Sequence, residues 1–559
     1  MPKLVWNTKN AIKPNNLGTL TSELLTNRGL SQKEAQSFID PNYDIDLEDP
    51  FSIKDMEKAV KRILDAIKKK EKIAIYGDYD IDGMSASAVM YDALSSMGSK
   101  PTLYIPDRFE EGYGLNSLAL KKLKENGAKL VISVDCGTTA HKQAEDAKKM
   151  KLDLIITDHH EPDGKAPKGA IACINPKLQK HSPLHNLAGV GVAFYLVRAL
   201  QEKSDLLKPG QEKWLLDLVA LGTICDVVPL AGPNRVLAKY GLLVLNKSKR
   251  PGIKALADTS SIDLSKANEF DLGFKIGPRL NAAGRLTHAQ KALDILIADD
   301  YDKARGLADD LNELNHIRRQ ATLEVYEEAN KQASKYKQDP ILVLSSPDWS
   351  HGIVGIVASR VSEKWHKPTI LLQELGTEAK GSARSYGNFN IIDAIRSCEA
   401  LLSSYGGHSF AAGLKLETER IKELRYRLNE YAVSNMDVKN NIKVIDVAID
   451  LPSEMVSIDL YEAINSLAPF GNSNSKPYCQ SAFEVSEVRL VGSDASHLKL
   501  RLVDSRGNTH DAIGFGKGKD YEWMKPCSQV LMAYEISENI WNGSKKHQLE
   551  IVDIKPNEQ

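Results

Sequence analysis

The sequence predicts a multidomain α/β protein: a parallel-sheet domain, a second α/β domain joined to it by a long helix, and a small C-terminal β-barrel. Three observations predict it. Short apolar strands alternate with helices between residues 73 and 174, the pattern of a parallel sheet covered on both faces. A charged helical stretch, Tyr301 to Lys337, precedes a second α/β pattern that opens with Ile341-Leu342-Val343-Leu344. From Val444 onward short strands alternate apolar and polar residues, as in Leu498-Lys499-Leu500-Arg501-Leu502, which suits a small barrel.

In chain order, residues 1–50 read as a helical preamble. Val60, Ile63, Leu64 and Ile67 then repeat at helical spacing. The strands follow as Ile73–Tyr76, Leu130–Val134, Leu154–Thr157 and Ala170–Ile174, with helices at Ser85–Met97 and His141–Met150 between them. Trp214–Cys225 reads as an apolar buried helix. A connecting helical region carries Gly277-Pro278-Arg279-Leu280-Asn281, and the second α/β unit runs to about Asn435. The polar segment Val438–Lys443 marks a boundary. The expected division is 1–50, 51–245, 246–337, 338–437 and 438–559.

The length of 559 residues requires several cores. Composition is that of an ordinary globular chain, 42% hydrophobic and 26% charged, with no apolar run long enough to cross a bilayer. Met1 to Asn10 lacks a signal-peptide core, so a cytoplasmic location is expected. Cys136, Cys173, Cys225, Cys398, Cys479 and Cys527 form no CxxC pair, which points away from a disulfide framework or a zinc site. Lysine and arginine number 73 against 74 acids. A net charge of −1 does not advertise nucleic-acid binding and does not exclude it, because only local charge matters to a phosphate backbone.

The placement of acids carries the chemistry. Asp78, Asp80 and Asp82 follow the first strand, Asp135 the second, and Asp158, His159 and His160 the third, while Asp226 ends the buried helix. Loops past the carboxyl ends of parallel strands converge on one crevice. Carboxylates gathered there would repel one another without cations. Oxygen donors with one or two imidazoles suit manganese or magnesium better than structural zinc. Each piece also has a plain structural account: Asp-x-Asp as a helix cap or turn, Gly77 and Gly83 as turn residues, His-His as a surface feature, Asp135 as a strand end and Asp226 as a cap. Four such features at consecutive element ends are hard to explain as independent accidents.

Tyr76-Gly77-Asp78-Tyr79-Asp80-Ile81-Asp82-Gly83, Ser133-Val134-Asp135-Cys136-Gly137, Asp158-His159-His160 and Leu221-Gly222-Thr223-Ile224-Cys225-Asp226-Val227-Val228-Pro229 together resemble the motifs of the DHH phosphoesterases, in order and spacing. The preamble, Gly277-Pro278-Arg279-Leu280-Asn281-Ala282-Ala283-Gly284-Arg285 and Tyr405-Gly406-Gly407-His408-Ser409-Phe410-Ala411-Ala412-Gly413 narrow the resemblance to the RecJ branch. It covers nearly the whole chain. One departure stands at Pro469-Phe470-Gly471-Asn472-Ser473-Asn474-Ser475-Lys476-Pro477, where Ser473 and Ser475 replace the glycine and proline usual in the family.

The resemblance implies a parallel-sheet DHH domain, a DHH-associated substrate-binding domain and an oligonucleotide-binding barrel. It implies a single-stranded-DNA-specific 5′→3′ exonuclease of recombination and repair, releasing 5′-mononucleotides by hydrolysis at two Mn²⁺ or Mg²⁺ ions. Asp80, Asp82, Asp135, His159 and Asp226 would be metal ligands. His160 would be a ligand or touch the scissile phosphate, and Asp78 and Asp158 would support the set. Arg108 and Arg279 would hold the DNA end, with Ser382 and Arg384 on the 5′-phosphate. Gly406, Gly407 and His408 would approach a nucleotide closely, and His351 would open a helix at an anion site. A plain Ser350 cap is the competing account of that helix. Phe483, Phe515 and Trp541 are candidate base stackers that in so small a barrel are more often core. A monomer is expected, with single-strand-binding protein and a helicase as partners implied by the family role. Three other readings stay open: a DHH phosphodiesterase for short oligonucleotides or cyclic dinucleotides, a non-catalytic replication scaffold, and an ordinary nucleotide-binding α/β protein, against which Gly77 to Gly83 sets three acids where phosphates would sit.

Overall fold

The computed structural model describes the chain except residues 1–3, 109–110, 113, 437–443, 493, 525–527, 542–543 and 558–559, and the side chains at 540, 541, 544 and 545. The boundary expected at Val438–Lys443 lies outside the described residues. The chain forms two compact units. One holds residues 6–277, 296–299 and 444–559; the other holds 278–295 and 300–443 with the first residues of the chain. Among the described residues no helix is long and apolar enough to cross a membrane, and Cys136, Cys173, Cys225, Cys398 and Cys479 are free thiols.

The larger unit is organised by a five-stranded parallel sheet in the order Thr102–Tyr104, Ile73–Tyr76, Leu130–Val134, Asp153–Thr157, Ala172–Ile174. Every residue of Ile73–Tyr76 and Leu130–Val134 is buried, as a sheet covered on both faces requires. On one face Leu120, Leu123, Ala144 and Ala147 pack on Val131, Leu154 and Ile156. The helices Ile81–Ser96 and Gly189–Glu202, buried along most of their lengths, also pack against the strands. The chain leaves Ile73–Tyr76 for the edge strand Thr102–Tyr104, then returns to add Leu130–Val134 on the other side. The order therefore reverses between Ile73–Tyr76 and Leu130–Val134, and a crevice opens beyond their carboxyl ends.

Several boundaries differ from expectation. The helix expected from Ser85 starts at Ile81, because the Asp80 side chain caps it. The fourth strand shortens to Ala172–Ile174. Trp214–Cys225 is not one buried helix: a 3₁₀ turn, Glu212–Leu215, precedes the helix Leu216–Cys225. The tighter turn takes Trp214 off the buried stripe and leaves it 61% exposed. The long helix ends at Lys335.

In the C-terminal region of the same unit, strands Tyr478–Val491, His497–Val503, Thr509–Gly514, Ser544–Pro556 and Gln529–Trp541 pair in that succession. Gln529–Trp541 also pairs with Tyr478–Val491. Phe483, Leu498, Leu500, Leu502, Met532 and Leu549 fill the interior. The preamble joins this core. Leu20, Leu24 and Leu25 pack with Ile449, Leu460 and Ile464, and Ile12 exchanges backbone hydrogen bonds with Ala448 and Asp450 at 2.9 and 2.8 Å.

The smaller unit carries a mixed sheet in the order Leu402–Gly407, Ala411–Glu417, Glu378–Arg384, Thr369–Leu375, Leu342–Ser346, in which only the last pair is parallel. Ile421, Leu424 and Leu428 of the helix Ile421–Asn435 pack with Ile370 and Leu372 in one core. Val354, Val357 and Val361 of His351–Trp365 pack with Val325 and Ala329 of Tyr301–Lys335 in another.

Because Leu25 is fully buried where preamble and barrel meet, Leu25→Ala should cost about 2–5 kcal/mol. Hydrogen exchange should show faster exchange at Ile449 and Leu498–Leu502 than in the wild type.

Candidate metal centre

The crevice is built from turns that tolerate little variation. After Ile73–Tyr76 the chain turns into the helix Ile81–Ser96, and Asp80 accepts from the Gly83 N–H at 3.0 Å. A Cβ at Gly83 would lie 2.6 Å from the Asp78 Cβ, and one at Gly77 2.1 Å from Ser87 Oγ. These glycines thus serve close packing of helix on turn, not a left-handed turn conformation. Asp135 has φ of 61°, a left-handed conformation in which its N–H donates to the Thr157 carbonyl at 2.9 Å. Non-glycine residues held in that region cluster at functional sites.

Two further glycines close the walls, and sequence reading did not single out the first. A Cβ at Gly189 would fall 2.3 Å from Asp135 Oδ1, and one at Gly222 would fall 2.8 Å from Asp82 Oδ1. The N–H groups of Gly189 and Val190, at the start of Gly189–Glu202, donate to Asp82 at 2.6 and 2.9 Å. A helix N-terminus thus seats a buried carboxylate.

The side chains converge. His159 Nε2 lies 3.2 Å from Asp135, 3.7 Å from Asp226 and 3.8 Å from Asp82. His160 Nδ1 is 2.8 Å from Asp158 and 3.9 Å from Asp135. Donor atoms fall within 4.8 Å of one another in three groups: Asp78, Asp80 and Asp135; Asp82, His159 and Asp226; and Asp135, His159 and His160. The structure therefore brings together all seven residues expected to surround metal. Asp158 stands behind them, accepting from the N–H groups of Thr138, His159 and His160 at 2.8, 2.8 and 3.1 Å.

Burial first, then the charge of Asp80, pushes Asp78 well up and Asp82 up to about 7. Burial and the neighbouring Asp82 raise Asp135 well above the carboxylate range and Asp226 to about 9. Burial and the charge of His160 push His159 down to about 4, which leaves a neutral ring able to ligate. His160 moves up: burial opposes its charge, but the hydrogen bond and charge of Asp158 outweigh it. Asp78 Oδ1 is buried with no hydrogen-bond donor among the described residues. An orphaned carboxylate oxygen among acids that resist ionisation fits divalent cations, which would relieve both.

The structure also places the candidate substrate contacts. Arg108 lies over the Tyr79 ring at 5.0 Å, on the turn that carries Asp78 and Asp80. In the smaller unit, Arg384 donates to Ser382 Oγ at 2.7 Å on one strand, and Gly355 of the helix His351–Trp365 passes close to both. Ser350 makes no side-chain cap; the His351 N–H donates instead to Gln373 at 2.9 Å. Gly407 has φ of 147°, its position required by the hairpin that the His408 N–H closes on the Ala411 carbonyl at 2.8 Å. Gly406 faces open space. Arg279 lies on the helix Gly277–Leu286 and donates to Asn312 at 3.1 Å.

Sequence reading missed Arg318, Arg319 and Arg360. Burial and the nearby Arg360 and Arg319 lower Arg318, while burial and Arg319 lower Arg279. Guanidiniums gathered in this way suit a polyanion. The Arg318-Arg319 doublet was visible but merged into the charged helix. Also missed were Phe270 and Phe274, 55% and 71% exposed, whose rings stack at 4.9 Å along a π-helical turn, Asp271–Ile276. That turn meets the helix Leu216–Cys225, where Cys225 Sγ donates to the Leu272 carbonyl at 3.6 Å. Of the barrel aromatics, Phe483 is core and Phe515 is 64% exposed; the Trp541 side chain lies outside the described residues.

A carboxylate–histidine cluster at the switch point of a parallel sheet is the arrangement of a metal-dependent phosphoesterase of the DHH type. The DHH family, N-terminal domain, matches residues 72–223, the DHHA1 domain residues 338–434 and the RecJ OB domain residues 445–553. The chain is 39% identical over 545 residues to the single-stranded-DNA-specific exonuclease RecJ of Bacillus subtilis, covering 96% of this chain and 68% of that protein. It is 34% identical over 526 residues to the Escherichia coli protein of the same name, covering 90% of each. The crystal structure of RecJ in complex with Mn²⁺ from Thermus thermophilus superposes with a TM-score of 0.82 at 28% identity, covering all of this chain and 80% of that one. The chain belongs to the RecJ family.

The raised carboxyls set a sign for stability against pH. In the metal-free fold Asp82 and Asp226 keep their protons to about 7 and about 9, whereas unfolded aspartates lose them near pH ~4. The cluster's contribution to stability is full below that range and is lost as pH rises through 7 to 9. Mn²⁺ should therefore raise the melting temperature over an EDTA control by more at about pH 8.5 than at about pH 6. An equal rise at both would contradict the electrostatics.

Proposed function

We propose that the protein is a metal-dependent exonuclease that digests single-stranded DNA from the 5′ end, releases 5′-mononucleotides and acts in DNA recombination and repair. The observation that carries this is the complete donor set, Asp78, Asp80, Asp82, Asp135, His159, His160 and Asp226, gathered at one crevice of a RecJ-family chain. A degenerate scaffold would have lost part of it.

Two divalent cations, Mn²⁺ or Mg²⁺, would be held there, and when bound they supply activated water and charge neutralisation for in-line phosphodiester hydrolysis. Asp135 belongs to two of the donor groups and would help to hold both cations. Neutral His159 would serve as a ligand. His160, held by Asp158 and half exposed, is the better placed of the two to donate an N–H hydrogen bond to a phosphate oxygen. Arg108, braced on Tyr79, would steady the strand end. Ser382 and Arg384 would take the 5′-phosphate, with His351, Gly406, Gly407 and His408 nearby in the fold of the smaller unit. Arg279, Arg318, Arg319 and Arg360 would follow the phosphate backbone. On this reading residues 51–245 are catalytic, 338–437 bind substrate and 438–559 bind the strand, with 1–50 and 246–337 as preamble and connector. The protein would act in the cytoplasm as a monomer beside single-strand-binding protein and a helicase.

With Mn²⁺, a 5′-phosphorylated single strand should yield mononucleotides from its 5′ end, and the matching duplex and a cyclic dinucleotide should not. Asp135→Ala and His159→Ala should each abolish turnover while the circular dichroism spectrum is kept; a fully active Asp135→Ala protein would falsify the assignment. The stacked faces of Phe270 and Phe274 suit unpaired bases, and such stacking is worth about 1–3 kcal/mol per base. The Phe270→Ala/Phe274→Ala pair should therefore raise KM for a long single strand by about tenfold or more with little change in kcat.

A further inference from the structure

We infer that Asn472, on a loop of the C-terminal region, is a positioning residue for the metal centre: it locks the backbone that follows Asp226 and thereby aims that carboxylate. The inference rests on Asp226 being a metal ligand, as proposed above.

Asp226 ends its helix, and the next residue, Val227, has φ of 60°. A β-branched residue in the left-handed region is a true outlier and persists only where the surroundings over-determine it. The restraint comes from far along the chain. Asn472 Nδ2 donates to the Val227 carbonyl at 2.9 Å, and the Leu230 N–H donates to the Asn472 carbonyl at 2.8 Å. One residue therefore grips the segment Val227–Leu230 at both ends. Gly471 fits against Leu230, where a Cβ would come within 2.7 Å of Leu230 Cδ1.

The clamp is itself held rigidly. Asn474 is fully buried and donates to the carbonyls of Leu467 and Pro469 at 2.8 and 2.7 Å. Its backbone exchanges hydrogen bonds with Gly471 at 3.0 and 3.1 Å. Arg28 of the preamble donates to the Asn474 side chain at 2.5 Å and to the Ser475 carbonyl at 3.0 Å. Arg235, buried, donates to the carbonyl of Ala468 at 3.1 Å and reaches that of Pro469 at 3.5 Å. The Pro469–Pro477 segment, distant from the catalytic motifs in sequence and departing from the family pattern, therefore touches the catalytic loop in space.

Because outer partners of metal ligands typically matter by about 10–100-fold in metal affinity, and this contact is exposed, the low end is expected, about tenfold. Asn472→Leu keeps the shape and removes the donor; Asn472→Ala removes both. Calorimetric titration of the full chain with Mn²⁺, without DNA, should show about tenfold weaker binding in each, with melting in EDTA unchanged. Adding Val227→Gly, which adopts the left-handed backbone without strain, should recover most of the loss in Asn472→Leu, since residues acting on one loop are not additive. Wild-type Mn²⁺ affinity in both Asn472 variants, with affinity lost in Asp226→Ala, would overturn the inference alone. Wild-type affinity in Asp226→Ala would overturn the reading of the centre and this inference with it.

Discussion

The mutual repulsion of buried carboxylates is the constraint on which the rest of the larger unit depends. Asp78, Asp82 and Asp135 are each nearly inaccessible to water, in surroundings where like charges cannot coexist without an opposing charge. The protein provides partial relief: two helix N-terminal amides and the charge of His160 at Asp82, and the charges of His160 and Arg108 near Asp78. What remains is an electrostatic demand for cations. Asp158 behaves differently. Burial pushes it up, but His160 and backbone N–H groups hold it below the usual carboxylate range. It keeps its charge and orients the ring beside the centre.

Holding such a cluster together takes geometry that ordinary packing does not require. Gly77, Gly83, Gly189 and Gly222 each stand where a methyl group would strike a neighbouring chain segment or an acid. Asp135 and Val227 hold left-handed backbones beside the cluster. The strain is local, and it is supported by a sheet whose central strands are wholly buried. A rigid scaffold with strained edges at its crevice is what pre-organised charge requires.

Much of this was legible in the sequence. Acids at the ends of successive apolar strands pointed to one crevice because the side-chain period and the parallel topology leave few alternatives. The long helix and the alternating C-terminal strands were readable for the same reason. Legibility failed where function depends on contacts between distant segments. Nothing local to Asn472 announces Val227, and Gly189 opens a helix like many glycines. The 3₁₀ turn before Leu216 and the π-helical turn at Asp271–Ile276 have no distinct periodicity at that length, so the sequence pattern does not reveal the exposure of Trp214, Phe270 and Phe274. Arg318 and Arg319 were hidden by composition: in a helix so charged, a functional cation looks like a solvated one.

The shared core of the preamble and the C-terminal strands has a consequence in time. Leu20, Leu24 and Leu25 leave the ribosome long before most of the core they join, from Ile449 to Ile554. Until those residues are made the leading helices have no lasting surface to pack on, so this core is a late event of high sequence separation. A chain that stops short of these strands keeps its catalytic motifs but leaves the preamble's leucines as an exposed apolar patch, prone to association until the last strands cover it.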